Sequence, residues 1–220
     1  MRTQVTPPDL KEAVMKNMAK SIGVIVAGLI MVGAVARGAN SQLGVKKFVT
    51  QDKQKNETKD LVGARTFDAP VAEVWKYWAE SECVKKWWGP NGFTSPLARM
   101  DFREGGTSLV CMRAPNGQDF YNTWTYRKIE PLKRIEFILG WADKDGQKID
   151  PVTMGLPPDI PQEVRHVVTF KDVSGKTELT VVEYGYKSDQ TLDLSKQGLE
   201  QCLDKMATAL GGKHERKEER

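Results

Sequence analysis

Residues 199–212 read LEQCLDKMATALGG, and within them Leu199, Cys202, Leu203, Met206 and Leu210 recur at the three-and-four spacing of a single helical face. The spacing predicts a helix that begins near Asp193 or Ser195 and stops at Gly211 and Gly212, glycine being the usual residue just beyond a helix end. An apolar stripe this regular needs an apolar surface to cover it, so the fold turns on what the preceding chain can offer.

What precedes it has a period of two. Residues 164–172 (VRHVVTFKD) and 176–186 (KTELTVVEYGY) flank Ser174-Gly175, a hairpin signal. In residues 134–141 (RIEFILGW), Ile135, Phe137, Leu139 and Trp141 share one face and Glu136 takes the other. Further strands are expected in residues 120–129 and 107–114, joined at Asn116-Gly117. Another is expected from Gly92 through Phe102, turned at Gly105-Gly106, with Met100 and Phe102 facing away from Arg99, Asp101 and Arg103. Earlier still, RTFDAPVAEVWKYWAESECVKKWWGP (65–90) hands a strand over to a helix at Pro70. Val71, Val74, Trp75 and Trp78 form the stripe of that helix. Ser81 can cap a second short helix running to Trp87, and Gly89-Pro90 ends it. Residues 142–162 have neither period and read as a long loop, of the kind that serves as a lid, a binding segment or a disordered insertion. No strand–helix–strand alternation occurs, so the sheet is expected to be antiparallel. The order is strand, two helices, about six strands and a long helix, and the fold class is α+β: a curved sheet wrapped on the last helix.

The 220 residues contain 33 basic and 29 acidic side chains for a net charge of +4, scattered rather than massed, which argues against a nucleic-acid partner. Three cysteines without a Cys-x-x-Cys pair and two histidines, His166 and His214, supply neither a disulfide framework nor the usual ligands of a transition metal. No metal and no other cofactor is expected. The stretch IGVIVAGLIMVGAVA (22–36), opening on Ile22 and closing on Ala36, carries no charge and is flanked by Lys20 and Arg37. As a helix it would reach ~22 Å, short of a ~30 Å hydrocarbon core, and its AVA ending suits a signal peptidase. Residues 1–36 are therefore expected to be a secretory signal or a single-span anchor, either of which implies an exported or membrane-attached protein, with a cytosolic chain carrying an amphiphilic start as the disfavoured alternative. Residues 37–60 read as a polar tether and 211–220 as a charged, frayed tail.

The words FDAPVAEVWKYW (67–78), KKWWGPNGFT (85–94), DFREGG (101–106), YRKIEPLKRIEF (126–137) and GLEQCLDKMATAL (198–210) resemble the SRPBCC, or START-like, superfamily. Within it they are most similar to the family named after the C-terminal domain of the activator of heat-shock protein 90 ATPase. The resemblance covers residues 61–210 and implies a helix-grip fold: seven strands curled around the C-terminal helix, with a cavity between sheet, helix and the two short helices. It also implies a hydrophobic ligand in that cavity for many relatives and cyclase or hydroxylase chemistry for others. Where the family usually has Gly-Trp at the start of the last helix, this chain has Gly198-Leu199.

Candidate site residues follow from the strand faces and the helical stripe. Of the adjacent Trp87 and Trp88, one is expected in the core and the other, Trp88, at the cavity mouth. Trp124 and Tyr126 share a face with Asn122; Phe137 and Trp141 share another. His166 lies among Val164, Val168 and Phe170, and Met112, Leu203 and Met206 complete the expected lining. Glu136 and Glu183 are strand carboxylates that nothing in the spacing pairs, and no nucleophile–base arrangement is legible. The reading is a binding module for a small hydrophobic molecule, exported or attached to a membrane through residues 22–36. The alternatives are a cyclase or hydrolase using His166 or Tyr126, or a co-chaperone. A chaperone partner is disfavoured because the residues ahead of the domain read only as an apolar run and a tether.

Overall fold

Strand β1 (Lys59–Phe67) buries Leu61, Gly63, Arg65 and Phe67 and turns Val62, Ala64 and Thr66 outward, so one face of the sheet is committed to the core from its first strand. In this computed structural model the described residues are 58–211 together with the backbone of 215–216. The expected segments 1–36 and most of 37–60 lie outside them. Two helices follow, α1 (Val71–Ala79) and α2 (Ser81–Val84). Pro70 stands one position earlier than expected, as the extended residue preceding α1, and its carbonyl accepts from the amides of Glu73 and Val74 at 2.9 and 3.2 Å. The buried stripe of α1 is Val74, Tyr77 and Trp78, rotated from the expected one. Tyr77 is drawn inward because its hydroxyl donates to the Ala209 carbonyl at 2.7 Å, and Trp75 is left half-buried.

Six strands come next: β2 (Thr94–Arg99), β3 (Thr107–Arg113), β4 (Asp119–Glu130), β5 (Arg134–Ala142), β6 (Glu163–Val173) and β7 (Lys176–Tyr186). The order across the sheet is β2-β3-β4-β5-β6-β7-β1-β8, with every pairing antiparallel and β8 formed by the backbone of Glu215–Arg216. Irregular registers in β1, β2 and β4 bend the sheet, since an extra residue on one strand raises the local twist. Strand β2 ends before Met100. Met100 and Phe102 lie in the connection to β3 and pack half-buried on the core rather than extending a strand. The β6–β7 turn has Ser174 and Gly175 both at positive φ, 55° and 82°, the backbone that two-residue hairpins need. Residues 142–162 are not featureless: a 3-10 helix, Pro151–Met154, is capped by the Asp150 carboxylate accepting from the Val152 amide at 3.0 Å.

Helix α3 (Asp189–Ala209) begins about a turn before the expected start. Its first turn is polar and shows no period. Its cap, Ser188, accepts from the Thr191 amide at 3.2 Å. The helix crosses mainly β1, where Gly63 permits close approach: a Cβ built on Gly63 would stand 2.7 Å from Leu199 Cδ2. Arg65, buried beneath the helix, bonds the Asp204 carboxylate and the Glu200 carbonyl. Leu203, Met206 and Ala207 meet Trp78, Trp87, Trp124 and Phe137 in one continuous core. Among the described residues no helix is long and apolar enough to cross a membrane. Leu203 is 1% exposed, so Leu203→Ala is expected to lower the urea-unfolding free energy by about 2–5 kcal/mol with the transition still cooperative.

Candidate functional site

The C-terminal half of α3 is covered by the aromatic core, but the half nearer its start is not. A cavity of about 170 Å³ lies between the sheet and the α3 face that carries Leu194, Ser195, Gly198, Leu199 and Cys202. Strands β4 to β6 contribute Phe120, Asn122, Leu139, Trp141 and Val164, and β7 closes one end with Glu183 and Tyr186. The outer wall is the 155–162 segment, with Leu156, Ile160 and Pro161 facing in. That segment and the Met154 just before it are tied down at three points. The Gln118 side-chain amide donates to the Met154 carbonyl at 2.9 Å, the Trp141 indole donates to the Pro161 carbonyl at 3.0 Å, and the Ser188 hydroxyl bonds the Asp159 carboxylate.

Trp88, Met112, Trp141 and His166 line this space. Trp87 is fully buried, with its N–H donating to the Tyr77 carbonyl at 2.7 Å, and Trp88 stands edge-on to it with ring centres 5.5 Å apart. The turn after α2 thus sends the two adjacent rings to different places. Trp124, Tyr126, Phe137, Leu203 and Met206, expected on the cavity wall, are core residues instead. Trp124 and Phe137 pack in a tilted pair with ring centres 5.1 Å apart, and Tyr126 is held by Ser108, whose hydroxyl lies 3.0 Å from the phenol oxygen. Leu203 and Met206 are beyond the point on α3 where the aromatic core takes over. Cys202 lines the cavity in their place, and burial pushes its thiol up to about 12, so it remains a neutral, mostly apolar surface.

Apart from the Ser195 hydroxyl beside Tyr186, the polar part of the lining has two components. His166 stacks on Phe137 at 4.7 Å with its Nδ1 3.1 Å from the Val164 carbonyl oxygen, which can only accept. Nδ1 therefore carries a proton, and Nε2 faces Glu183 Oε1 at 3.3 Å. The other Glu183 oxygen accepts from the Tyr186 hydroxyl. Burial first, and then the Glu183 charge, raise the Tyr186 phenol above its ordinary range and keep it a donor. The chain His166–Glu183–Tyr186 is thus closed on itself. Glu183, which the sequence left unpaired, sits opposite His166 in the β6–β7 register, whereas Glu136 is taken by Arg134 and Arg165 at 2.8 Å each. The second component is Asn122, fully buried, whose amide oxygen and nitrogen both lack a hydrogen-bond partner among the described residues. Sequence reasoning placed it on the Trp124 face without selecting it. The signal available was an asparagine inside a run of inward-facing aromatics. Among the described residues no group of acidic, histidine or cysteine side chains could hold a metal ion.

The model of the family "Activator of Hsp90 ATPase homolog 1-like protein" matches residues 68–211. Solved structures share the fold. A protein from Mycobacterium smegmatis is 24% identical, with 72% of this chain and 98% of that chain covered at a TM-score of 0.58. An AHSA1 protein from Silicibacter pomeroyi is 20% identical, with 70% and 98% covered at 0.57. An AHSA1-like protein from Aeromonas hydrophila is 19% identical, with 73% and 100% covered at 0.54. No curated protein matches the chain.

Gly198 lies mid-helix on the cavity face, and a methyl added there meets nothing within 4 Å. Gly198→Ala should stabilise the fold by about 0.5–1 kcal/mol, since alanine costs less backbone entropy in a helix, and a higher urea midpoint would show it.

Proposed function

The chain belongs to the Activator of Hsp90 ATPase homolog 1-like family, within the SRPBCC superfamily, and on that premise we propose that it is a binding module for a small hydrophobic molecule held between the sheet and α3. One observation carries the reading: a hollow of about 170 Å³ whose walls are almost wholly apolar. That is roughly the size of a cavity that admits a single aromatic ring. Side chains that could have filled it are either turned to the core, as Leu203 and Met206 are, or missing, as at Gly198.

The energetics suit a carrier or sensor. Burying about 300 Å² of apolar ligand surface contributes roughly 7 kcal/mol, and association costs several, so a purely apolar guest binds near the millimolar range and polar contacts set any higher affinity. The closed His166–Glu183–Tyr186 chain supports a structural rather than a reactive role for the histidine. The uncharged run at residues 22–36, outside the described residues, supports an exported or membrane-tethered setting, where a carrier meets hydrophobic solutes.

Native mass spectrometry of the protein purified from its own cells is expected to show a bound small molecule in wild type. Gly198→Leu, which sends a larger side chain into the cavity, is expected to lose it while remaining folded. A wild-type interior found empty across independent preparations would count decisively against the carrier reading. The mass of the mature N-terminus separates a cleaved signal from a retained anchor.

A further inference from the structure

Asn122 is anomalous for an interior residue. It sits on β4 with both amide atoms unpartnered, and burying such a group without hydrogen bonds is costly enough that interiors normally avoid it. The orphaned group is not in the packed core but on the cavity lining. A second unpartnered donor is nearby. The Trp88 indole N–H also lacks a partner, and its ring stands edge-on to Trp124 at 4.8 Å, Trp124 being two residues from Asn122 on the same strand face. Asn122 and the Trp88 ring both line the cavity, so the unmet groups at this end are two donors, the Asn122 NH2 and the Trp88 N–H, and one acceptor, the Asn122 carbonyl. The far end is already satisfied by the His166–Glu183–Tyr186 chain. The two ends are four residues apart along the strands by register, ~13 Å at about 3.3 Å per residue, with Leu139 and Val164 between and Trp141 level with Asn122.

We infer that Asn122, assisted by Trp88, recognises an uncharged ligand group that both accepts and donates hydrogen bonds, a primary carboxamide or its equivalent, on a molecule whose apolar body fills the rest of the cavity. The inference rests on the binding function proposed above and specifies its ligand. Charge is excluded on both sides. His166 and Glu183 are the ionisable acid–base pair on the lining and face each other, so neither is open to a counter-charge. The Lys205 ammonium is occupied by the Gly89 and Phe93 carbonyls at 2.8 and 3.0 Å. A carboxylate or an ammonium brought into the cavity would lose its water without gaining an ion partner. A carboxamide answers the Asn122 amide donor for acceptor, and its carbonyl has a second lone pair for the indole.

The test is a panel with one body and four ends, titrated against the full chain by ligand-observed NMR at pH 7: 3-phenylpropanamide, propylbenzene, 3-phenylpropanoate and 3-phenylpropylammonium. The amide is expected to bind at least 10-fold more tightly than propylbenzene, and both charged compounds more weakly than propylbenzene. Asn122→Leu, similar in size, should lose the preference for the amide over propylbenzene and melt at a higher temperature when unliganded. An asparagine that merely supported the fold would give a lower melting temperature. Should Asn122→Leu fail to fold, Asn122→Ala takes its place in the same affinity comparison. Equal binding of amide and propylbenzene by wild type, an amide preference that survives loss of Asn122, or tightest binding by a charged member would each overturn the headgroup assignment while leaving the cavity's function intact. Failure of all four compounds to bind would overturn the binding function itself.

Discussion

Helix α3 has to bury one apolar face against a sheet that can touch it along only part of its length. Close contact is secured over β1, where Gly63 has no side chain and Leu199 settles onto the backbone. Toward the C-terminus, the tyrosine and tryptophans of α1, of the turn after α2 and of β4 fill the remaining space and tie down the helix end through the Tyr77 hydroxyl. Toward the N-terminus no aromatic layer intervenes, and the bent sheet stands away from the helix. The cavity is what remains when one rigid rod meets one curved surface and only half of the gap has been packed.

This division explains the character of the lining. Apolar strand residues face the gap because the same alternation that builds the core continues past it. The polar groups that occur there divide into those with partners and those without. His166, Glu183 and Tyr186 satisfy one another across two neighbouring strands, so they add rigidity at little cost. Asn122 has no such arrangement. Among the described residues several buried side chains leave one polar atom unpartnered, but Asn122 alone leaves both a donor and an acceptor unmet, and functional sites are where such exceptions are expected.

Most of the architecture was legible because it follows from periodicity and turn chemistry. The α3 stripe, the Asn116-Gly117 and Ser174-Gly175 turns and the antiparallel order were readable from local spacing alone. The two-residue turn at Ser174-Gly175 even determined the His166–Glu183 contact, since the two stand eight residues before and after it, but using that signal requires counting register outward from the turn. What could not be read was depth. Trp124, Tyr126 and Phe137 share inward faces with true lining residues, and alternation assigns a side chain to a face without saying whether helix or empty space lies above it. The same blindness put Leu203 and Met206 on the wall: the stripe shows which side of α3 is buried, not where along its length the aromatic packing ends. Asn122 was visible on the right face, but its lack of partners is a three-dimensional fact.

The four indoles Trp78, Trp87, Trp88 and Trp124 form a cluster with successive ring centres 4.7 to 5.5 Å apart, and of these only Trp88 touches the cavity. Chromophores this close share their electronic excitation, so a guest that shifts one ring alters the light absorbed and emitted by the whole set. The packing that holds the first two helices to the sheet thereby gives the molecule an intrinsic optical gauge of whether its interior is filled.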